Sequence, residues 1–198
     1  GAGGAEWLLH RADIAMYEAK RLGRNRFVWF DAQMEIDLNR RNELEAEIRT
    51  GLTEHQFVPY YQPLINLDSG ELKGFEVLAR WNHPTRGVLE PAEFIPIAEG
   101  NGSIAGLSLA VMKEALIDAR DWPEHLIIAV NVSPVQFKNP LLAQQIIKLL
   151  TETNFPAQRL ELEITESTLL EDQELALTTV ETLKDYGVKI SLDDFCTG

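Results

Sequence analysis

Apolar residues along this chain recur with helical spacing in some segments and form strand-like runs in others. The segments with helical spacing are residues 5–22, 35–52, 91–100, 103–121, 140–153 and 171–186. The strand-like runs are RFVWF at 26–30, a hairpin over 56–81 with its turn at Asp68-Ser69-Gly70, LIIAVNV at 126–132, RLELEIT at 159–165 and VKISLDD at 188–194. After the hairpin, strands and helices alternate, which predicts an α/β fold with a parallel sheet.

The same pattern divides the chain into three segments. Residues 1–31 hold one helix and one short strand, which cannot bury their own apolar faces, so we expect them to be the end of another domain. Residues 32–52 are charged and carry a narrow apolar stripe, which is typical of a solvated connecting helix; an interdomain or dimer-forming helix is the alternative. Residues 53–198 contain the hairpin and the alternating elements and form the third segment.

Polar side chains stand at the carboxyl ends of the strand-like runs. They are Glu76, Asn131, Glu163, and Asp193 with Asp194. Because a (β/α) barrel builds its active site from the carboxyl ends of its strands, and because strand side chains alternate between two faces, we expect these groups to meet at one mouth. Clustered carboxylates repel one another unless cations lie among them.

The donor set consists of oxygen atoms only, which favours Mg²⁺ or Mn²⁺ over zinc. Asp194 beside Asp193 can serve a second ion, and two cations suit a phosphate ester as substrate. Arg80 shares the strand face of Glu76 and can take a phosphate oxygen. Gln62, on the preceding strand, is either a donor to a base edge or a cross-strand polar contact.

Composition excludes several classes of protein. The formal net charge of −13 argues against a nucleic-acid polymer as partner, because such partners require clustered Lys and Arg. Cys196 is the only cysteine, so neither an intramolecular disulfide nor a thiolate metal cluster is expected. No apolar run reaches ~18 residues, and the start of the chain lacks a signal-peptide pattern. We therefore expect a cytoplasmic location, with a membrane anchor or sensor upstream left open.

The ordered motifs YYQP, GFEVLARWNHP, NVSP, LELEITES and DDF resemble the EAL-type cyclic-di-GMP phosphodiesterases over roughly residues 38–198. The earlier segment ADIAMYEAKRLGRNR resembles the end of a GGDEF diguanylate cyclase domain. The resemblance implies a TIM-type (β/α)₈ barrel whose first strand runs antiparallel, with about five of the eight strands in this chain. It also implies hydrolysis of cyclic-di-GMP to linear pGpG with two Mg²⁺ or Mn²⁺ ions.

The resemblance also assigns roles to individual residues. It implies that the metal ligands are Glu76, Asn131, Glu163, Asp193 and Asp194. Glu166 matches a glutamate that holds the loop after the Asp-Asp pair, and it joins the four carboxylates among the catalytic residues. The substrate contacts implied by the family are Gln62, Leu78 and Arg80.

Two departures from the family pattern keep a second hypothesis open. Val77 stands in the middle of the signature triplet, and Cys196 replaces a glycine after the Asp-Asp pair. The chain also stops at Gly198, before the later strands of the family, so we expect a truncated barrel that is inactive alone although its parent is an enzyme. The alternative is a catalytically degenerate receptor that binds cyclic-di-GMP without cleaving it.

Overall fold

The computed structural model describes residues 2–165, 168 and 173–193. By internal contacts the chain divides into two compact units, Gly1–Glu47 and Ile48–Gly198. The helices are α1 (Ala2–Arg21), α2 (Ala32–Thr53), α3 (Pro91–Asn101), α4 (Ile104–Ala119), α5 (Leu142–Thr153) and α6 (Gln173–Tyr186). The strands are β1 (Phe57–Ile65), β2 (Leu72–His83), β3 (Gly87–Leu89), β4 (Ile127–Asn131), β5 (Leu160–Thr165) and β6 (Lys189–Asp193).

The first unit contains α1 and the segment 26–30. The prediction of a strand over 26–30 is wrong, because these residues are irregular in the structure. A strand requires a partner for its backbone groups, and residues 26–30 have none among the described strands. Their aromatic side chains instead contact each other and Arg11: Phe27 meets Trp29 edge-on at 6.2 Å, and the Arg11 guanidinium lies 4.5 Å from the Phe30 ring.

The second unit is built on one mixed sheet with the order β1-β2-β4-β5-β6, and β3 pairs with the far end of β2. Strand β1 runs antiparallel to β2, whereas β2, β4, β5 and β6 are mutually parallel. The predicted alternation of strands and helices and the antiparallel first strand are therefore confirmed. Within the described residues β1 and β6 are the two ends of the sheet, so the barrel is not closed.

Helices cover the outer face of this sheet. Trp81 of β2 is fully buried, and its ring packs against Phe57 at 4.7 Å and Phe94 of α3 at 5.9 Å. Because side chains alternate along β2, the burial of Val77 and Trp81 beneath the helices turns Glu76 and Arg80 toward the inner face. The packing of the outer face thus decides which side chains reach the barrel interior.

A buried arginine joins β5 to the elements before it. Arg159 is only 7% exposed, and its guanidinium donates to the carbonyl oxygens of Leu126 at 2.8 Å and Ala119 at 2.9 Å. Ala119 is the last residue of α4, so the arginine also lies where the negative end of the helix dipole favours a cation. This contact fixes the start of β5 beside the start of β4.

No helix among the described residues is long and apolar enough to cross a membrane.

Candidate active site at the carboxyl ends of the parallel strands

The side chains of Glu76 and Asn131 meet where the parallel ladder between β2 and β4 ends. Asn131 is the last residue of β4, whereas β2 continues beyond Glu76 to His83. The Asn131 Nδ2 donates a hydrogen bond of 2.7 Å to the Glu76 Oε1. The structure therefore brings together the first two residues that the strand pattern predicts. The amide nitrogen of Asn131 donates to Glu76. The amide oxygen, Oδ1, is therefore the atom of this side chain that can bind a cation or accept a hydrogen bond.

Strand register extends the cluster across β5 and β6. Asn131 pairs with Glu163 in the parallel ladder, so their side chains are neighbours on one face of the sheet. Asp193 lies two residues beyond Ser191, which is the partner of Glu163. Asn131 likewise lies two residues beyond Ala129, the partner of Glu76. The candidate residues are thus offset by two positions from β2 to β4 and from β5 to β6, and they stand level between β4 and β5. Such offsets fit the stagger of strands in a barrel.

Part of the predicted site lies outside the described residues. This applies to Asp194, Glu166 and Cys196, and for Asp193 only the backbone position is described. The roles expected for these four residues stay predictions.

The donor chemistry at this edge fits a hard divalent cation. Glu76, Asn131 and Glu163 contribute carboxylate and amide oxygens from three adjacent strands, and such oxygens are the ligands that Mg²⁺ and Mn²⁺ take. No group of three or more His, Cys, Asp and Glu suited to a metal ion occurs among the described residues. That finding is consistent with a donor set in which one ligand is an amide and another is Asp193.

The barrel interior at the level of Glu163 is polar as well. Ser191, its ladder partner, has a buried hydroxyl for which the described residues provide no hydrogen-bond partner. A buried hydroxyl without a partner costs free energy, so the described part of the interior beside Glu163 has unmet hydrogen-bonding capacity. We take this as a second observation that fits a hydrated cation near the cluster.

Arg80 lies at the same mouth, two inner-face positions beyond Glu76. Its Nη2 is 2.9 Å from the Oε2 of Glu90, and its Nη1 donates to the carbonyl oxygen of Ala79 at 3.1 Å. The arginine side chain is 15% exposed, whereas that of Glu90 is 63% exposed. The fork of Arg80 is therefore held at the mouth by a solvated carboxylate, which an incoming phosphate can replace as partner.

Gln62 and Leu78 lie on the inner face beside these charges. Gln62 is the direct cross-strand partner of Glu76, and Tyr60 is the partner of Leu78. Gln62 is exposed and Leu78 is half-buried. The predicted substrate contacts thus lie on the same face of the sheet as Glu76. They are Gln62, Leu78 and Arg80.

A hydrogen-bond network anchors the loop that follows Asn131. Ser133 donates from its hydroxyl to Glu99 of α3 at 2.6 Å, and the same oxygen accepts from the backbone of Val135 at 3.3 Å. The backbone N–H of Ser133 donates to Gln136, which completes a capping box. Because Ser133 is two residues beyond Asn131, this network limits the movement of the Asn131 amide.

A cavity of about 430 Å³ opens beside the cluster between α3, α4 and the ends of β2, β4 and β5. Its walls are mostly apolar, and its polar lining includes Glu99, Asn131, Ser133, Glu163 and Thr165. An apolar pocket with a few convergent polar groups is typical of a ligand site.

Sequence reasoning missed Tyr60, Glu90 and Glu99 as residues of this region. Tyr60 could have been found, because it stands two positions before Gln62 and so shares its strand face. Glu90 and Glu99 belong to the turn and helix after β2, and no periodicity in the sequence shows which helix residues reach the strand ends.

The fold and the site together define an α/β barrel domain whose mouth combines carboxylates, an amide and an arginine. The EAL domain family model matches residues 45–198, and the chain belongs to this family.

Relatives of known sequence agree with this assignment. An uncharacterised signalling protein of Caulobacter vibrioides is 44% identical over 98% of this chain and 24% of its own length. The bifunctional diguanylate cyclase/cyclic di-GMP phosphodiesterase MucR of Pseudomonas aeruginosa is 36% identical over 96% of this chain and 28% of its own length. The chain therefore spans about a quarter of the length of these curated relatives.

Solved structures show the same fold. The phosphodiesterase PaMucR in complex with c-di-GMP superimposes with a TM-score of 0.74 at 36% identity, over 79% of this chain and 65% of that one. The partial barrel predicted from the sequence is therefore confirmed as the fold of an EAL domain.

Proposed function

We propose that the protein containing this chain hydrolyses cyclic-di-GMP to linear pGpG with the help of two Mg²⁺ or Mn²⁺ ions. The observation that carries the proposal is the contact of 2.7 Å between Glu76 and Asn131, with Glu163 next to Asn131 in the strand ladder. The match of the EAL family model and the phosphodiesterase activity named for MucR support it.

Glu76, Asn131 and Glu163 would hold the first cation through their oxygens, and Asp193 with Asp194 would complete the set and serve the second. The chemistry that such cations supply is activation of a water molecule and polarisation of the phosphodiester. In the reaction the water oxygen bonds to phosphorus, one P–O bond of the ring breaks, and a proton passes to the departing ribose oxygen. We assign to Glu166 the role of holding the loop that follows the Asp-Asp pair.

The remaining residues bind and orient the dinucleotide. Arg80 binds a phosphate oxygen in place of Glu90, Gln62 donates to the edge of a base, and Leu78 provides apolar contact. Positioning of this kind contributes to catalysis because the reacting atoms are held in line before the chemical step. The half-buried position of Arg80 makes its charge more effective than that of a solvated arginine.

The proposal extends to the rest of the protein. Residues 1–31 are the end of a GGDEF domain, residues 32–52 connect the domains or form a homodimer contact, and the location is cytoplasmic. The exposed aromatic side chains of the first segment support the first point, because Phe27 is 82% exposed and Trp29 is 84% exposed. Aromatic surface of this extent is normally covered in a complete domain.

The test is chromatography of the products of cyclic-di-GMP incubated with the full-length protein and Mg²⁺ or Mn²⁺. We expect pGpG to form, and we expect EDTA to abolish it. Replacing Glu76 by Gln keeps an acceptor for Asn131 but removes the charge, so pGpG formation falls by at least ~100-fold, since even outer partners of metal ligands matter ~10–100-fold.

The matched control is Glu71→Gln, which changes a glutamate in the exposed turn of the hairpin and leaves the rate unaltered. Tight binding without any pGpG would favour the receptor alternative. Full activity in Glu76→Gln would refute the proposed site.

A further inference from the structure

Two adjacent tyrosines of β1 have opposite environments. Tyr61 faces outward, where its ring packs edge-on against Trp122 at 5.1 Å and its hydroxyl donates to Asp118 at 2.6 Å. Tyr60 faces inward, directly across from Leu78, and is 45% exposed. The outer tyrosine is thus explained by packing, whereas the inner one presents a ring to the barrel mouth.

The neighbours of Tyr60 are groups suited to a nucleotide. Gln62 stands two residues along on the same face, and the guanidinium carbon of Arg80 is 5.5 Å from the centre of the Tyr60 ring. The ring therefore lies between an amide that can read a base edge and a cation that can take a phosphate. Aromatic rings in such positions bind nucleotides by stacking on the face of a base.

We propose that Tyr60 is a substrate-binding residue that stacks on one purine base of the cyclic dinucleotide. The inference rests on the proposed function, because it takes the cyclic dinucleotide as the ligand. Tyrosine suits this role because its ring is rigid and loses little conformational freedom on binding. The hydroxyl is not required, so the role belongs to the aromatic face.

The experiment measures binding rather than turnover. Fluorescently labelled cyclic-di-GMP is titrated with the full-length protein in EDTA, and Kd is read from anisotropy. Tyr60→Leu should weaken binding about 10-fold, the effect of losing one stacked base, and Tyr60→Phe should restore the wild-type Kd. Tyr61→Phe is the matched control and should leave Kd unaltered, because its side chain points away from the mouth.

A double-mutant cycle separates direct stacking from an effect through Arg80. If Tyr60 stacks on the base, Tyr60→Leu weakens binding by a similar factor in the Arg80→Ala background. If Tyr60 only positions the arginine, the substitution has no further effect in that background, and this result overturns the inference. An unaltered Kd in Tyr60→Leu alone overturns it as well.

Kinetic measurements provide a second readout. Stacking predicts that Tyr60→Leu raises KM for cyclic-di-GMP about 10-fold and leaves kcat within about 2-fold, because the base is remote from the reacting phosphate. A fall in kcat with KM unaltered would contradict it. A wild-type protein that binds cyclic-di-GMP without forming pGpG would refute the proposed function, and the binding comparison would still decide the role of Tyr60.

Discussion

At the scale of single residues, β5 carries two glutamates, one inside the candidate site and one outside it. Glu163 and Glu161 share one face of the strand, but only Glu163 lies beside Asn131. Glu161 lies two residues earlier, and its Oε2 is 3.2 Å from the Nζ of Lys73. Replacing each glutamate by glutamine therefore makes the same chemical change at two positions along one strand.

We expect Glu163→Gln to lower the rate of pGpG formation by at least ~100-fold, because it removes a charged metal ligand. Glu161→Gln should leave the rate within about 2-fold, because it weakens only a partly exposed ion pair worth ~1 kcal/mol or less. The measurement is kcat at saturating Mn²⁺ in the full-length protein. Equal losses in the two variants would show that the effect arises from the strand and not from the cluster.

A second prediction concerns the outer face, where Glu114 of α4 lies near Asp118 and His55. Burial raises the pKa of Glu114 above its ordinary value, Asp118 adds to the rise, and the charge of His55 opposes it. The pKa of Glu114 is higher in the folded protein than in the unfolded protein. Glu114 therefore contributes to folding stability at pH values below its ordinary pKa, and this contribution is lost as the pH rises through the raised pKa.

Glu114→Gln should therefore raise the melting temperature at neutral pH and leave it unaltered at pH values well below the ordinary pKa of a glutamate. Thermal melts of the two proteins across this range check the sign. A variant that is less stable than the wild type at neutral pH would show that the attraction of His55 outweighs burial. The neighbouring Tyr61 does not change its protonation state across this pH range, because burial and the hydrogen bond to Asp118 raise its pKa far above the usual range.

At the scale of elements, the approach of β2 to β4 places Glu76. Gly74 pairs with Ile127, and a Cβ at Gly74 would collide with the carbonyl oxygen of Ile127. Gly74→Ala should destabilise the domain by about 1–3 kcal/mol, the usual cost of overpacking, and should lower activity because Glu76 is two residues away. Denaturant titration and the hydrolysis assay check the two effects together.

Gly106→Ala is the control for this substitution. Gly106 lies within α4, and an added Cβ would stand 3.7 Å from Leu52, which is an ordinary contact. The change should be neutral or stabilising by up to ~1 kcal/mol, because alanine favours the helix interior. Equal destabilisation by both substitutions would contradict the close approach of β2 and β4.

Much of the element order was predictable from the sequence, because each buried strand carries an apolar run and each helix an apolar stripe. Strand β3 was not, since Gly87–Leu89 is three residues long and pairs only because β2 extends to His83. The segment 26–30 has the apolar composition of a strand, but composition does not provide a partner. Local pattern predicts what a segment can form, and pairing decides what it does form.

The candidate site was predictable to a similar extent. Alternation along the strands places Glu76 with Asn131, and the contact of 2.7 Å bears this out. The ion pair between Arg80 and Glu90 depends on the turn through β3, whose geometry no periodicity encodes. The family roles expected for Asp194 and Glu166 lie outside the described residues and stay predictions.

At the scale of the whole molecule, the chain corresponds to one part of the longer relatives that it matches. It spans about a quarter of the length of its curated relatives, and the described strands form an open sheet. The site lies at the end of that sheet where a complete barrel gathers the side chains of all its strands. Activity is therefore expected of the full-length protein, and the proposed ligands of the first cation lie on the strands of this partial barrel.

The central claim is that oxygen atoms of Glu76, Asn131 and Glu163 bind a divalent cation beside cyclic-di-GMP. Anomalous diffraction from crystals of the full-length protein grown with Mn²⁺ and cyclic-di-GMP tests it most directly. We predict a manganese peak within about 2.5 Å of an oxygen of each of the three side chains, with a phosphate of the dinucleotide adjacent. A dinucleotide bound at this mouth with no manganese between it and these side chains would contradict the claim.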